Sequence, residues 1–264
     1  MGIVQLFKGF FGKRGLVLNN VIAVVLAGGF GTRIKDLLPH LPKPLAPVAG
    51  QPFLGWVLTY LQRQGLTQML ISTGYQAEAI AAYAQTQPLP DLQLACYPET
   101  EPLGTAGGFI NAVQRSTETP QIWLVLNGDS LVMTDLAPLL AYLEDDTVEG
   151  VILGVTVEDA SRYGSLVFDE TGTLLKFAEK QAGQGVINGG VYLFRHRLLQ
   201  NWLLQPWTQQ IPLSFEYDIF PQLLAQKVSL KVHPVTAPFL DIGTPASLAQ
   251  AESFIQTTFA DAFS

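Results

Sequence analysis

The residues best suited to chemistry begin with a glycine-rich segment and two cations near the start of the chain. The glycine-rich stretch 28–31 directly follows the apolar run 21–27, and Thr32 and Arg33 come next. Lys43 stands between two prolines further on. Glycine lets other atoms approach the backbone closely, and loop amides and cations bind phosphate. This spacing favours a phosphate-rich ligand at the end of a buried strand, although a glycine-rich turn that binds nothing explains the glycines equally well.

Two familiar phosphate-binding loops do not match these residues. The P-loop needs Gly-Lys-Ser or Gly-Lys-Thr, and neither tripeptide occurs in the chain. The dinucleotide fingerprint needs a third glycine where Ile34 stands and an acidic residue about 20 positions further on, and both are missing. The glycine loop therefore belongs to neither class.

Two aspartates are the candidates for a metal site. Asp129 closes an otherwise apolar strand, and Asp241 follows the apolar pair Phe239-Leu240. Two carboxylates that converge on Mg²⁺ suit a nucleotide metal, because Mg²⁺ takes a few protein oxygens and keeps phosphate oxygens as its other ligands. Each aspartate taken alone is more often a helix cap or a turn residue, and their wide separation in the sequence leaves their convergence open.

A second group of candidates lies later in the chain. Glu179 and Lys180 end a strand, where the carboxylate could accept hydrogen bonds from sugar hydroxyls and the lysine could hold a phosphate. A solvated surface ion pair explains these two residues better when they are taken alone. Asn188 and the two glycines after it interrupt another strand, which indicates either a bulge or the close approach of a ligand.

The composition excludes several classes of function. The chain has 264 residues, of which 48% are apolar and 14% charged, and its net charge is −7. These values indicate a folded protein and argue against nucleic-acid binding. Cys96 is the one cysteine, which excludes a disulfide framework and a cysteine-cluster metal site. Scattered histidines argue against a zinc site, and the G-x-S-x-G elbow of a serine hydrolase does not occur.

Residues 1–20 mix basic and aromatic side chains without a signal-peptide cleavage site. We interpret them as a loosely held N-terminal extension, with a weakly surface-associating segment as the less favoured alternative. No apolar run in the sequence approaches the roughly 18 residues that a membrane span needs. We therefore expect a cytoplasmic protein without a membrane span.

Strand and helix patterns alternate in the first part of the chain. Strands are predicted at 21–27, 68–73, 92–97, 122–126 and 151–157, and helices at 52–64, 76–85, 109–115 and 136–143. This alternation predicts right-handed crossovers and an α/β fold with a doubly wound parallel sheet.

From about Ser161 the pattern changes to short strands. Strands are predicted at 165–168, 174–178, 185–194 and 229–232, a helix at 216–226, and a last helix from Pro245 to about Phe259. These elements predict a β-rich lobe of mixed sheet that covers one side of the first part.

Seven short motifs together resemble one family. They are LAGGFGTR at 26–33, PKPLAPV at 42–48, EPLGTAGG at 101–108, NGD at 127–129, EK at 179–180, NGG at 188–190 and DIGTP at 241–245. In this order they resemble the sugar-phosphate nucleotidylyltransferases, or nucleotide-sugar pyrophosphorylases, over roughly residues 21–258. Seven motifs in register are a specific signal, and they outweigh the alternative explanations of the single residues.

The resemblance implies the architecture and its division. We expect a Rossmann-like doubly wound mixed sheet of the nucleotide-diphospho-sugar transferase type, with a small sugar-binding β-rich lobe. The expected divisions are an N-terminal extension at 1–20, a single domain at 21–258 with a nucleotide-binding half (21–157) and a sugar-binding half (158–243), and a C-terminal helix and tail at 244–264.

The resemblance also implies a reaction, in which an NTP and a sugar 1-phosphate give an NDP-sugar and pyrophosphate. It implies catalytic roles for Arg33 on the leaving phosphates, Lys43 near the α-phosphate and Lys180 on the sugar phosphate, with Mg²⁺ as the cofactor on Asp129 and Asp241. The implied substrate-binding residues are Leu26, Ala27, Gly28, Gly29, Gly31, Thr32, Glu101, Gly104, Thr105, Asn127, Gly164, Glu179 and Asn188.

The loop at 99–107 differs from the P-x-G-L-A-Q form of thymidylyl enzymes. It resembles guanylyl enzymes for mannose 1-phosphate and for D-glycero-D-manno-heptose 1-phosphate, so we expect GTP and leave the sugar open. Uridylyl, cytidylyl or thymidylyl transfer and a non-catalytic nucleotide-sugar-binding paralogue stay as alternatives. A glycosyltransferase is disfavoured because Leu131 stands where its D-x-D metal motif needs an acid. The sequence leaves a homo-oligomer open.

Overall fold

The computed structural model describes residues 21–86, 89, 91–178 and 182–259. The predicted N-terminal extension therefore lies outside the described residues. The strands are, in chain order, β1 (Val21–Ala27), β2 (Pro47–Val48), β3 (Gln51–Pro52), β4 (Gln68–Thr73), β5 (Gln93–Pro98), β6 (Ile122–Asn127), β7 (Ser130–Val132), β8 (Gly150–Val157), β9 (Ser165–Phe168), β10 (Leu174–Ala178), β11 (Gly185–Arg195), β12 (Leu230–Val235) and β13 (Phe239–Asp241).

The helices connect these strands. The α-helices are α1 (Phe53–Arg63), α2 (Ala77–Gln85), α3 (Gly104–Arg115), α4 (Ala137–Ala141), α5 (His196–Leu203), α6 (Phe220–Ala225) and α7 (Pro245–Phe259). Shorter turns of 3₁₀-helix are found at Thr32–Leu37, Lys43–Leu45, Tyr142–Glu144 and Pro206–Gln209, and a π-helical turn at Phe215–Ile219.

One mixed sheet runs through both predicted halves of the chain. Its strand order is β10-β9-β11-β6-β1-β4-β5, and β8 pairs with β11 and β12. Strand β1 is parallel to β4 and β6, whereas β11 is antiparallel to β6. The ends of β1, β4 and β6 lie at one edge, where Ala27 is level with Thr73 and Leu26 with Asn127. The loops that follow these strands therefore meet at this edge.

The two faces of the sheet are covered by separate hydrophobic cores. Side chains alternate along β1, so Ala23 and Val25 enter one core while Ile22 and Val24 enter the other. Helices α1, α2 and α7 pack in the first core, and α3, α5 and α6 pack in the second. Helices on both faces of a largely parallel sheet confirm the predicted doubly wound α/β class.

The helix predicted at 109–115 was wrong at its start, because α3 begins at Gly104. Glycines have low helix propensity, which is why the sequence predicts a loop up to residue 108. A distant segment supplies the missing acceptor: the amides of Ala106 and Gly107 donate to the carbonyl of Leu213 over 3.0 and 3.3 Å. The tertiary contact thus extends the helix through residues that would not start it alone.

Several further elements differ from the prediction. The helix predicted at 216–226 is the π-helical turn Phe215–Ile219 followed by α6. Helix α5 and the antiparallel ribbon of β7 and β13 were not predicted. Strands of three residues carry too little periodicity to be recognised from sequence.

The described part of the chain contains no helix that is both long enough and apolar enough to cross a lipid bilayer.

Candidate functional site

A small cavity of about 170 Å³ lies at the edge of the sheet where β1 and β6 end. Its lining comes from the strand ends and the loops that follow them: Leu26, Ala27, Gly29, Gly31, Thr32, Arg33, Lys43, Pro44, Asp129 and Gly243. The structure therefore brings together most of the glycine-loop residues that the sequence predicts, along with both early cations. We call this space the small cavity.

Gly31 leaves room for the side chain of Lys43 in the small cavity. Its φ of +58° lies in the left-handed region that side chains rarely adopt, and a Cβ there would lie 2.9 Å from Lys43 Cβ. The lysine stem therefore packs against bare backbone. Lys43 begins a 3₁₀ turn, and its side chain is only 8% exposed.

The ammonium of Lys43 joins two carboxylates that are far apart in the sequence. Its Nζ lies 2.6 Å from Asp129 Oδ2 and 3.5 Å from Asp241 Oδ1. The β7–β13 ribbon causes this meeting, since Asp241 pairs with Ser130 and the amide of Ile242 donates to the carbonyl of Asp129 over 3.0 Å. The convergence that the sequence left open is thus present.

Arg33 completes the charged cluster. A Cβ on Gly243 would lie 3.0 Å from both Arg33 Nη2 and Lys43 Nζ, so the two cations share one wall. Two cations and two carboxylates leave the cluster formally neutral before any ligand binds. Such a cluster suits an anionic ligand that arrives together with a metal cation. The lysine and arginine charges would then face the anion, and the two carboxylates would face the metal.

The carboxylates of Asp129 and Asp241 are suited to a metal ion whose remaining ligands come from the substrate. Both reach one point, the ammonium of Lys43, and their side chains are 34% and 19% exposed. Among the described residues, no group of three or more histidines, cysteines, aspartates and glutamates could bind a metal. Asp129 and Asp241 are thus the residues that would hold the expected Mg²⁺, a cation that takes its other oxygens from water and phosphate.

A large cavity of about 1000 Å³ lies beside the small one. Arg33 and Asp129 line both cavities. The predicted residues Asn127, Gly164, Asn188 and Asp241 also line the large cavity, as do Ser130, Arg162, Tyr163, Leu175, Lys176, Phe177, Ala178, Gly189, Gly190, Glu216, Tyr217, Pro221, Leu224 and Phe239. A ligand could therefore extend from the charged cluster into the large cavity.

A hydrogen-bonded network forms the inner wall of the large cavity. Asn188 Nδ2 donates to Tyr192 Oη over 2.7 Å and to Glu216 Oε1 over 3.1 Å, and the Tyr192 hydroxyl donates to the same Glu216 oxygen over 3.2 Å. The pairing of β11 with β8 is irregular between Asn188 and Tyr192, so the glycines there form a bulge. This bulge turns Asn188 toward the cavity.

Burial raises the pKa of the Tyr192 hydroxyl well above its usual value, and the neighbouring Glu216 carboxylate raises it further. Tyr192 therefore stays neutral and acts as a hydrogen-bond donor in this network.

Sequence reasoning missed Glu216 and the residues around it. The sequence predicts only a helix at that position, and a glutamate at the start of a helix is common for reasons of capping. Arg162, Tyr163 and Tyr217 also line the large cavity. Tyr217 is 81% exposed at its rim.

Glu99 was also missed, although it lies in the loop that the sequence singles out. Its Oε1 accepts from Ser72 Oγ over 3.1 Å, and its Oε2 accepts from the Leu103 amide over 3.1 Å. Burial raises the pKa of this carboxyl, and the two hydrogen bonds oppose that change. A Cβ on Gly28 would collide with Glu99 Oε1, so the predicted Gly28 lies against this carboxylate rather than in the lining of the small cavity.

The three predicted residues of the second loop occupy different surroundings. Glu101 is exposed. Gly104 has a φ of +78°, and a Cβ there would collide with the Leu213 carbonyl. Thr105 Oγ1 accepts from the Phe215 amide over 3.1 Å. Gly104 and Thr105 thus contact the segment that leads to Glu216.

Glu179 and Lys180 lie outside the described residues. Their predicted contacts with the sugar and its phosphate stay predictions.

Residues 22–258 match the profile of the family described as nucleotidyl transferase. The chain is 30% identical to D-glycero-alpha-D-manno-heptose 1-phosphate guanylyltransferase of Aneurinibacillus thermoaerophilus, over 89% of this chain and 98% of that protein. It is 32% identical to the Campylobacter jejuni protein of the same name, over 84% of this chain and 95% of the relative.

The fold is similar to a solved structure of HddC from Yersinia pseudotuberculosis in complex with GMP-PN. The TM-score is 0.76 at 30% identity, and the match covers 88% of this chain and 98% of that one.

Proposed function

The chain belongs to the nucleotidyl transferase family, and on that premise we propose that it transfers a guanylyl group from GTP to a sugar 1-phosphate. The sugar is of the heptose or mannose type. The observation that carries the proposal is the meeting of Lys43, Asp129 and Asp241 beside Arg33, at the edge of the sheet where the glycine loop ends. The names of the similar guanylyltransferases support guanine as the base.

In this reaction an oxygen of the sugar phosphate attacks the α-phosphorus of GTP. A new phosphorus–oxygen bond forms, the bond from the α-phosphorus to the bridging oxygen of the β-phosphate breaks, and pyrophosphate leaves. A phosphate monoester loses its second proton near pH 6, so the nucleophile needs no general base at neutral pH. The main obstacle is repulsion between two polyanions.

The charged cluster addresses this repulsion. Lys43 would lie against the α-phosphate and Arg33 against the leaving phosphates, while Lys180 would hold the phosphate of the sugar. Fixed cations aligned with the reacting groups lower the barrier without having to reorganise during the step. Asp129 and Asp241 would hold Mg²⁺, which would offset charge on the α-phosphate oxygens when bound.

Glu99 lies against Gly28 of the glycine loop, and in the proposed reaction its carboxylate would read the base. An ionised carboxylate only accepts hydrogen bonds, and with one acceptor position used on each oxygen it keeps one free on each. Guanine presents two adjacent donors, N1–H and N2–H₂, which match a carboxylate. Adenine and cytosine have a ring nitrogen acceptor beside their amino group. Uracil and thymine have one N–H donor with a carbonyl on each side. Each of these bases would therefore present an acceptor to the Glu99 carboxylate, which cannot donate to it.

The direct test is a matrix of five NTPs against a panel of sugar 1-phosphates, with pyrophosphate release as the readout. We expect turnover with GTP and with a heptose or mannose 1-phosphate, dependent on Mg²⁺. Turnover with UTP, CTP or dTTP instead would reassign the base, and no turnover with any pair would reject the transferase.

A substitution tests the assignment of the base. Glu99→Gln should raise the KM for GTP roughly 10- to 100-fold, because a lost pair of charge-assisted hydrogen bonds is worth about 1–3 kcal/mol.

The pH dependence of the wild type is a second test. Burial raises the pKa of Glu99, and protonation removes its acceptors. As the pH falls, the KM for GTP should therefore start to rise at a higher pH than it would with a glutamate of ordinary pKa. The variant should lose this dependence. If Glu101→Gln gives the larger effect on the KM for GTP, the exposed Glu101 is the base-reading residue.

A further inference from the structure

Glu216 presents an oriented carboxylate to the large cavity. Its Oε1 accepts from Asn188 Nδ2 and from the Tyr192 hydroxyl, and its Oε2 accepts from Ser214 Oγ over 2.8 Å. The side chain is half-buried and lines the cavity. Three donors fix its position before a ligand arrives.

The carboxylate still has capacity for one more donor. An ionised carboxylate offers about four acceptor positions, two on each oxygen. Both positions on Oε1 are taken, and one of the two on Oε2 is taken. The free position on Oε2 therefore suits a single hydroxyl donor from a ligand in the cavity.

The backbone around Glu216 is fixed as tightly as its side chain. Ser214 caps the π-helical turn, because its Oγ accepts from the amides of Glu216 and Tyr217 over 3.2 and 3.3 Å. Asp218 Oδ2 in turn accepts from the Ser214 amide over 2.7 Å. Short π-helical segments are frequent at functional sites.

This turn is joined to the beginning of α3. The amide of Leu213 donates to the carbonyl of Leu103 over 2.7 Å, and the carbonyl of Leu213 accepts from the amides of Ala106 and Gly107 in the first turn of α3. Two residues later, the Phe215 amide donates to Thr105 Oγ1 over 3.1 Å. The loop near Glu99 and the turn that carries Glu216 are therefore parts of one hydrogen-bonded unit.

We propose that Glu216 accepts a hydrogen bond from one hydroxyl of the sugar and so helps to select the sugar, and that Thr105 is a positioning residue that sets the place of Glu216. The class of ligand rests on the proposed function, in which a sugar phosphate reaches from the charged cluster into the large cavity. Thr105 would therefore affect sugar binding through the Phe215 amide, although it lies in the loop assigned to the base.

The first measurement compares Glu216→Gln with the wild type in steady-state kinetics. Glutamine keeps the shape of the side chain and can still accept from Asn188 and Tyr192 through its carbonyl oxygen. Its amide replaces Oε2, so the free acceptor position and the acceptor of the Ser214 hydroxyl are both removed. The KM for the sugar 1-phosphate should rise at least tenfold, while the KM for GTP stays within about twofold. Glu252→Gln, an exposed position on α7, is the matched control.

A second measurement separates recognition from a merely structural role. The wild type and Glu216→Gln are each assayed with a set of sugar 1-phosphates that lack one hydroxyl. One deoxy analogue should be strongly disfavoured by the wild type and no longer disfavoured by the variant. The proposal would be overturned if Glu216→Gln lowered kcat/KM by the same factor for every analogue. The carboxylate would then only support the fold.

Thr105 is tested by its own series. Thr105→Ala should raise the KM for the sugar phosphate with little change in the KM for GTP, and Thr105→Ser should restore it because the hydroxyl acceptor returns. If Thr105→Ala raises the KM for GTP instead, the threonine binds the nucleotide and the positioning role is wrong.

Calorimetry with α,β-methylene GTP makes the test independent of turnover. Sugar 1-phosphate is titrated into the wild type and Glu216→Gln in the presence of this unreactive analogue. The inference is supported if Glu216→Gln binds the sugar 1-phosphate at least tenfold more weakly than the wild type. This result would stand even if no NTP were turned over, and only the proposed transfer would then fail. Equal affinity of the two proteins would overturn the role of Glu216.

Discussion

The small and large cavities are neighbours, but they are built by different means. The small cavity combines the bare backbone of the glycine loop with three ionic side chains, those of Arg33, Lys43 and Asp129. Lys43 also lies within ion-pair distance of Asp241, on the side of the large cavity. The inner wall of the large cavity is a network of an amide, a phenol and one carboxylate, contributed by β11 and the π-helical turn. The first arrangement suits phosphate charge, and the second suits hydroxyl groups. Changes in the first should therefore alter the rate, and changes in the second should alter the choice of sugar.

The strongest test of this contrast is Lys43→Met. The ammonium is fixed against Asp129 and Asp241, so its removal should lower kcat about 10²- to 10³-fold at saturating substrates. Lys35→Met, an exposed lysine on the turn after the glycine loop, is the control and should behave like the wild type. Pyrophosphate release gives kcat, and circular dichroism checks the fold. A folded Lys43→Met protein with a kcat within threefold of the wild type would contradict the role of the small cavity.

A smaller effect is expected from Asp241→Asn. The asparagine can still accept from the Gly243 amide, which donates to Asp241 Oδ1 over 2.7 Å, so the loop should keep its shape. The Mg²⁺ concentration for half-maximal rate should rise tenfold or more, since even indirect partners of a metal contribute roughly 10- to 100-fold to its affinity. Asp36→Asn, an exposed aspartate on the turn after the glycine loop, is the control. An unchanged Mg²⁺ requirement would remove Asp241 from the proposed metal site.

The smallest effect should come from Tyr192→Phe in the large cavity. The substitution removes one of the two donors to Glu216 Oε1 and also one acceptor of Asn188, whose own bond to Glu216 Oε1 is kept. The KM for the sugar phosphate should rise about three- to tenfold, because one such hydrogen bond contributes about 1 kcal/mol. kcat and the KM for GTP should stay near the wild-type values. Tyr142→Phe, whose hydroxyl lies 3.3 Å from His233 Nδ1 in the other core, is the matched control. A fall in kcat without a change in the KM for the sugar phosphate would contradict the assignment of the rate to the small cavity and of sugar selection to the large cavity.

The alternation of buried strands and helices was visible in the sequence because burial and periodicity are local properties. Strand β1 was predicted with its observed bounds, and the motifs after β1 and β6 placed Arg33 and Asp129 just beyond strand ends, with Lys43 further along the chain. In a parallel sheet the ends of neighbouring strands meet at one edge, so topology alone brings such residues near one another. This is why much of the small cavity was predictable.

The remaining features depend on contacts between distant parts of the chain. Asp241 reaches Asp129 through the short β7–β13 ribbon. Helix α3 begins at Gly104 because the carbonyl of Leu213 accepts from the amides of Ala106 and Gly107 in its first turn. Glu216 enters the large cavity through a network that no single stretch of sequence contains. The sequence by itself determined the fold class, the edge of the sheet that carries the site and its charged groups, because these follow from local patterns. Only the tertiary structure decided which carboxylates converge and which side chains face the large cavity, because hydrogen bonds between residues far apart in sequence set those positions.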